Sequence, residues 1–157
     1  MVKYFLVISL FFSSEIFSQN FKKVPFDELE QFLASDNDTL YIVNFWATWC
    51  KPCLEEMPYF EQIGLEKKNE KVKVILVSVD TESRWEASLS PFITKRNVQS
   101  EVWSLYNKKP GDWIDRISPQ WSGAIPGTLF MINGKKYFYE KEFTYEELIA
   151  TIQSINQ

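Results

Sequence analysis

The fold is decided by residues 46–53, whose sequence is WATWCKPC. Cys50 and Cys53 are the only two cysteines of the chain, and two residues separate them. This segment follows an apolar run at residues 40–45, which predicts a buried strand that gives way here to a helix. A helix N-terminus offers unpaired backbone N–H groups and a partial positive charge, and both favour a thiolate over a thiol. The spacing and position therefore indicate a dithiol that exchanges electrons as a disulfide.

Composition excludes several classes of function. The chain has 157 residues, of which 45% are hydrophobic, and this is enough for one packed core. The net charge is −4 and the lysines are scattered among acidic residues, so we expect no nucleic-acid partner. The chain has no histidine, which excludes Ser-His and Cys-His catalysis. A zinc site needs about four ligands, so we expect no metal site, and the predicted chemistry requires no bound cofactor.

The N-terminus has the features of a secretory signal peptide. Lys3 supplies a short positive region, residues 4–12 are almost continuously apolar, and Ser18 is a small residue before the predicted cut. We predict a signal peptide over residues 1–18, a short linker over 19–25 and one domain over 26–157. The apolar run is about half the ~20 residues that a membrane-spanning helix needs, which favours cleavage over an anchor or a buried N-terminal element. Export to the periplasm would allow a disulfide to persist.

The order of the predicted elements indicates an α/β fold. Helices are predicted over residues 25–33, 50–68, 81–96, 113–117 and 144–155, and strands over 40–47, 71–80, 102–106, 128–132 and 136–140. Alternating strands and helices require right-handed crossovers, so we predict a mostly parallel sheet with helices on both faces. Asn133 and Gly134 predict a C-terminal antiparallel hairpin. Thr144 and Glu147 have the spacing of a capping box that begins the last helix.

The position of each cysteine predicts its role. Cys50 lies at or just before the first helical turn, so we expect it to be the attacking thiolate. Lys51 adds a positive charge beside it, and Pro52 fits the first turn without losing a needed hydrogen bond. Cys53 lies one turn further in, and we expect it to resolve the mixed disulfide. A purely structural disulfide is the alternative, although so short a loop constrains the unfolded chain little.

Two segments resemble a known family. Residues 45–53, followed by Glu56, Met57 and Pro58, resemble thioredoxin-like proteins, and more narrowly the TlpA/ResA branch of exported bacterial thiol-disulfide oxidoreductases. Residues 122–130, SGAIPGTLF, give a second match. The resemblance runs from about residue 26 to the C-terminus and implies a thioredoxin fold. Several members of that branch serve cytochrome c maturation, so apocytochrome c is the substrate that the resemblance favours.

The resemblance also implies where a substrate would dock. In that family a cis-proline lies beside the dithiol, and the matching residue is Pro126. Ile125 would supply backbone groups that pair with a substrate strand. Apart from the resemblance, Trp49 lies at the rim of the thiols, so we expect it to contact the substrate. A cis bond before proline is far less costly than before other residues, so a tight turn at this position agrees with the expectation.

A proton carrier is expected near the second cysteine. Thioredoxin has a buried acid in its first central strand, whereas this chain has Asn44 at that position. In the TlpA/ResA branch a glutamate one turn after the second cysteine fills the need, and Glu56 matches it. Glu56 lies at i+3 from Cys53 and so shares a helix face with it. The alternative is a solvated helical glutamate like Glu55.

We predict a monomer that reduces disulfides in exported proteins. A membrane dithiol donor would reduce it in turn, because an exported dithiol has no nicotinamide supply. Lys51 and Pro52, with no histidine between the cysteines, favour a reductase over an oxidase or isomerase. Two other functions remain open. The fold could serve as a non-catalytic binding module. A peroxidase would need threonine three residues before the attacking cysteine, where this chain has Ala47.

Overall fold

A six-stranded mixed sheet forms the centre of the structure, a computed structural model that describes residues 20–106, 111 and 113–155. Its strands are β1 Lys22–Pro25, β2 Leu40–Trp46, β3 Val72–Ser78, β4 Glu101–Tyr106, β5 Gly127–Ile132 and β6 Lys135–Tyr139. The strand order is β1-β4-β3-β2-β5-β6. The four strands β1 to β4 are parallel, β5 runs antiparallel to β2, and β6 runs antiparallel to β5. The predicted mixed sheet is confirmed.

Helices cover both faces of the sheet, as predicted. They are α1 Phe26–Leu33, α2 Lys51–Glu66, α3 Ser90–Arg96, α4 Ile114–Ile117 and α5 Tyr145–Ile155. One buried cluster joins α2, α3 and α5 to the sheet and includes Phe60, Ile93 and Leu148. A second cluster joins α1 and α4 to the opposite face and includes Leu29 and Ile117.

The central strands β2 and β3 are buried on both faces, and their parallel pairing determines where the dithiol lies. β2 and β3 pair in parallel from Leu40 with Val72 to Trp46 with Ser78. Their side chains are almost all buried, as expected for strands covered by helices on both sides. The carboxyl end of β2 therefore lies next to the carboxyl end of β3, and α2 begins there.

The predicted linker over residues 19–25 needs a correction, because its second half is strand β1. Lys22–Pro25 pair in parallel with β4 at the edge of the sheet. Val24 is fully buried, and Phe21 just before the strand packs on Trp85. Only one of the four strand residues is a non-proline apolar residue, so the segment shows no alternation that the sequence analysis could recognise.

The predicted helix over residues 81–96 is divided into three parts. A 3₁₀ turn at Glu82–Arg84 leads into a π-helical turn at Trp85–Leu89, and α3 follows. Pro91 lies in the first turn of α3 and lacks the N–H that would bond to the carbonyl of Ala87. A wider turn before Pro91 accommodates that missing bond. The single helix predicted over residues 81–96 is therefore interrupted just before Pro91.

The local signals near the C-terminus are confirmed. Asn133 and Gly134 both have positive φ angles, 49° and 69°, as the tight turn between β5 and β6 requires. Thr144 N donates to Glu147 Oε2 at 2.9 Å, and Glu147 N donates to Thr144 Oγ1 at 3.3 Å. These two bonds form the predicted capping box at the start of α5.

Candidate active site

The two cysteines form a disulfide at the N-terminus of α2. Cys50 is the N-cap residue of this helix, and its Sγ accepts a hydrogen bond of 3.3 Å from Cys53 N. Cys50 and Cys53 are joined by an S–S bond. Cys50 keeps 5% of its surface exposed, whereas Cys53 is fully buried. Cys50 is therefore the more accessible of the two cysteines.

The helix N-terminus is the main positive feature at Cys50. The first turn of α2 holds no acidic residue, and Cys53 N already points at the Cys50 sulfur. Lys51 is 85% exposed and pairs with Glu55 at 3.3 Å, so its charge is shared and solvated. The contribution that the sequence analysis expected from Lys51 is therefore small. Backbone N–H groups and the helix dipole are left as the chief stabilisers of a thiolate.

The segment before β5 lies against the dithiol. The Ile125–Pro126 peptide bond is cis, and Ile125 O lies 3.7 Å from Cys50 Sγ. Pro126 is buried and Ile125 is partly exposed. Trp49, immediately before the first cysteine, has 60% of its surface exposed. The structure thus brings Trp49, Ile125 and Pro126 to the Cys50 side of the disulfide.

An aromatic cluster holds this segment in place. Trp121 Nε1 donates to Ala124 O at 2.7 Å, one residue before Ile125. The Trp121 ring packs on Phe45 of β2 and Phe138 of β6, with ring centroids 4.8 Å and 5.2 Å away. No local sequence pattern assigns Trp121 to the site, because its ring partners Phe45 and Phe138 lie far from it in the chain.

Glu56 is fully buried beneath the dithiol, on the same face of α2 as Cys53. Its Oε1 accepts from Asn44 Nδ2 at 2.8 Å, and its Oε2 accepts from Phe143 N at 2.8 Å. Burial raises the pKa of Glu56 to about 7, even though these two hydrogen bonds favour the charged form. The solvated alternative is therefore excluded for Glu56.

Asn44 connects Glu56 to the neighbouring strand β5, where Thr128 is its cross-strand partner. Its Nδ2 donates to Glu56 Oε1 and also, at 3.1 Å, to Thr128 Oγ1 on β5. Asn44 itself is buried in β2. The residue that replaces thioredoxin's buried acid thus orients the carboxyl group supplied by α2.

Asp80 is a buried carboxylate that the sequence analysis missed. It follows β3, and its oxygens accept from Thr48 N at 2.9 Å and from Thr48 Oγ1 at 2.7 Å. Ser78 Oγ and Arg84 Nε also donate to it, at 3.0 Å and 3.3 Å. An acid directly after a buried parallel strand was the available signal, because the carboxyl ends of neighbouring parallel strands meet at one edge.

Within the part of the chain that the structure describes, no cluster of three or more histidine, cysteine, aspartate or glutamate residues could hold a metal ion. No helix among residues 20–106, 111 and 113–155 is long and apolar enough to cross a membrane.

Comparison with known sequences identifies relatives. The family model for AhpC/TSA matches residues 18–132. Thiol-disulfide oxidoreductase ResA of Bacillus cereus is 45% identical over 117 residues, which cover 72% of this chain and 61% of that protein. Its namesake in Oceanobacillus iheyensis is 49% identical over 39 residues, which cover 25% of this chain and 20% of that protein. The aligned part of this chain thus spans less than two thirds of either relative.

Solved structures share the fold. A thioredoxin-related protein from Neisseria meningitidis serogroup B superposes with a TM-score of 0.65 at 22% identity, covering 78% of this chain and 88% of that one. The predicted thioredoxin fold is confirmed. The fold therefore agrees with the resemblance drawn from the sequence.

Proposed function

Since this chain belongs to the AhpC/TSA family, we propose that it is a thiol-disulfide oxidoreductase that reduces disulfides through Cys50 and Cys53. One observation carries the proposal: a disulfide at a helix N-terminus lies 3.7 Å from the carbonyl of a residue in a cis bond to proline. The names of the two curated relatives support the same activity.

The reaction is two successive thiol-disulfide exchanges. The Cys50 thiolate attacks one sulfur of a substrate disulfide, forming a mixed disulfide and releasing the other substrate sulfur as a thiolate. The Cys53 thiolate then attacks the Cys50 sulfur, which forms the Cys50–Cys53 bond and releases the second substrate thiolate. Two electrons pass from the protein dithiol to the substrate, and two protons end on the substrate thiols.

Glu56 supplies a place for the proton of Cys53. A buried thiol must lose its proton before it can attack, and water has little access to a fully buried sulfur. A carboxyl group with a pKa of about 7 can accept a proton and release it again near neutral pH. Its place at i+3 from Cys53 puts the two groups on one buried face of α2.

The substrate would dock against the exposed side of the dithiol. Ile125 offers backbone groups beside Cys50, Pro126 keeps the segment in its turn, and Trp49 presents an exposed indole. An extended strand that carries a disulfide fits such a surface, because backbone groups recognise it without regard to sequence. The substrates in this proposal are disulfide-bearing exported proteins, with apocytochrome c as the favoured case.

Export and the source of electrons complete the proposal. A cleaved signal peptide over residues 1–18 would bring a monomeric domain to the periplasm, and residues 1–19 lie outside the described part. Outside the cytosol a disulfide persists. The Cys50–Cys53 disulfide would then be returned to the dithiol by a membrane-bound dithiol donor. The chemistry is carried by the two sulfurs and by Glu56.

Reduction of insulin with dithiothreitol as the electron source tests the activity. We expect the wild-type protein to accelerate insulin precipitation and a Cys50→Ser variant to leave the uncatalysed rate. If the wild-type protein gives no acceleration, the fold serves here as a non-catalytic binding module and the proposal is wrong.

A peroxide assay distinguishes the peroxidase alternative. Ala47 provides no hydroxyl three residues before Cys50, and the hydroxyl of the adjacent Thr48 donates to Asp80. We therefore expect reduced protein to consume hydrogen peroxide no faster than a free thiol does. Catalytic turnover of peroxide would identify a peroxidase instead.

A further inference from the structure

We propose that Asp80 is a positioning residue for Cys50, because its buried carboxylate holds Thr48 and thereby fixes the turn from which α2 starts. This inference rests on the proposed function of Cys50 as the nucleophile. Asp80 acts on Cys50 through Thr48, which donates to its carboxylate from two atoms. The two residues are 32 positions apart in the chain.

The carboxylate of Asp80 accepts the hydrogen bond that would come next in the backbone ladder between β2 and β3. The final main-chain bond between β2 and β3 runs from Val79 N to Trp46 O at 2.8 Å. In a regular parallel ladder the next bond would take Thr48 N to the carbonyl of Val79. Here Asp80 Oδ2 accepts from Thr48 N at 2.9 Å instead. The Asp80 side chain thus replaces the backbone acceptor, so the ladder ends here and the turn that leads to α2 begins.

The hydroxyl of Thr48 supplies a second anchor to the same carboxylate. Thr48 Oγ1 donates to Asp80 Oδ1 at 2.7 Å, so Thr48 is held by both its backbone and its side chain. Hydrogen bonds to an ionised group are shorter and stronger than neutral ones. A residue held at two points cannot rotate about a single bond, and Thr48 therefore has one orientation.

The orientation of Thr48 determines the orientation of Cys50, which lies two residues later in the same turn. Cys50 N donates to Ala47 O at 3.1 Å, which closes the turn around Thr48 and Trp49. Cys50 then takes the extended conformation of an N-cap residue, and its sulfur faces Cys53 N. A shift at Thr48 would turn the sulfur away from the N–H groups that stabilise a thiolate.

The carboxylate itself is firmly placed. Asp80 is fully buried, and Ser78 Oγ donates to the same oxygen that receives Thr48 N. Asp80 N donates back to Ser78 Oγ at 3.1 Å, and Arg84 covers the other oxygen from the solvent side. A buried carboxylate is costly unless its oxygens are satisfied, and these donors satisfy them.

The test compares alkylation rates of Cys50 as a function of pH in a Cys53→Ser background, where Cys50 stays reduced. The titratable and charged groups around Cys50 are Lys51, Glu55 and the buried Glu56 on α2, and Asp80 and Arg84 after β3. Thr48→Val removes the hydroxyl bond and changes none of these charges. We expect Thr48→Val to slow iodoacetamide alkylation at pH 7 severalfold. A rise of one unit in the pKa of the Cys50 thiol lowers the fraction present as thiolate by up to about tenfold.

Matched variants distinguish an effect on the position of Cys50 from an effect of charge and from unfolding of the domain. Thr48→Ser keeps the hydroxyl and should restore the background rate. Asp80→Asn should slow alkylation in the same direction as Thr48→Val. Glu86→Gln removes an exposed acid from the same segment and should have no effect. Far-UV circular dichroism of each variant confirms that the domain is folded.

Two results would overturn the proposal. Alkylation of Thr48→Val within twofold of the background rate would show that Thr48 does not position the thiol. Faster alkylation of Asp80→Asn would show that Asp80 acts through its negative charge instead. Neither result depends on insulin reduction, so the proposed function can survive the loss of this inference, and a protein without reductase activity can still show the predicted alkylation rates.

Discussion

Asn44 and Glu56 are joined by a buried hydrogen bond of 2.8 Å that ties the first central strand to the dithiol helix. The strand position that could have carried an acid supplies a donor, and the helix supplies the acid. The carboxyl group thus stays close to Cys53 in sequence while its orientation is set by the sheet. Because the strand supplies the donor and the helix supplies the acid, we expect the single carboxyl group of Glu56 to serve as the proton carrier for Cys53.

Replacing Glu56 with glutamine should slow reduction of insulin roughly a hundredfold or more, because a general acid or base contributes about 10²- to 10⁴-fold. The glutamine keeps the size of the side chain but cannot take the proton of Cys53. The measurement is the steady-state rate at pH 7, with Glu55→Gln as the matched control on the exposed face of α2. Equal rates for Glu56→Gln and wild type would remove Glu56 from the mechanism.

Glu56 should also make the stability of the oxidised protein depend on pH. Its pKa is raised from 4.5 to about 7 in the folded state, so the folded protein binds more protons than the unfolded chain between these values. Stability should therefore fall as pH rises from about 4.5 to about 7, and this group should add no further change above that.

The expected loss is roughly 3 kcal/mol, from about 1.4 kcal/mol for each unit of pKa difference. Urea unfolding of the oxidised protein at several pH values measures it, since the disulfide removes the two thiols from the titration. Glu56→Gln should flatten the curve over this window, whereas Glu55→Gln should leave it as in the wild type. A wild-type curve that rises across the window contradicts a raised pKa.

Asn44→Ala should raise the pKa of Glu56 above about 7, because it removes a donor that favours the carboxylate. The pH at which insulin reduction reaches half its maximum should move upward, and stability should fall by about 1 to 3 kcal/mol. Thr128→Val is the matched control, since it removes the other partner of Asn44 and keeps the bond to Glu56. A pH profile that Asn44→Ala leaves unmoved would disprove the orienting role.

The reduction potential should lie well below that of a strong oxidant. Cys50 is stabilised by a helix N-terminus, but Lys51 between the cysteines is solvated and paired with Glu55. The thiolate therefore lacks the additional stabilisation that makes some proteins of this fold oxidising. Equilibration with glutathione measures the potential, and a value near −120 mV would make the protein an oxidase.

The parts of the structure that were predicted correctly depend on short-range patterns. The hairpin at Asn133, the capping box at Thr144 and the dithiol at the start of α2 each need only a few consecutive residues. Periodicity sufficed for the central strands, because burial on both faces leaves a continuous apolar run. The resemblance added Pro126 and Glu56, which no local pattern would assign.

The features that were missed depend on residues far apart in the chain. Thr48 and Asp80 are 32 residues apart, and Glu56 and Phe143 are 87 apart. Strand β1 exists because β4 offers it an edge, and its own four residues carry no alternating pattern. Such contacts follow from the strand order β1-β4-β3-β2, which sequence periodicity does not reveal.

Trapping of the mixed disulfide tests the central claim most directly. Reduced Cys53→Ser protein, mixed with insulin or oxidised glutathione, should accumulate a covalent adduct at Cys50 that mass spectrometry identifies. Cys50→Ser should form little adduct, because Cys53 is fully buried. An adduct that forms at Cys53 as readily as at Cys50, or no adduct with either variant, would contradict the account.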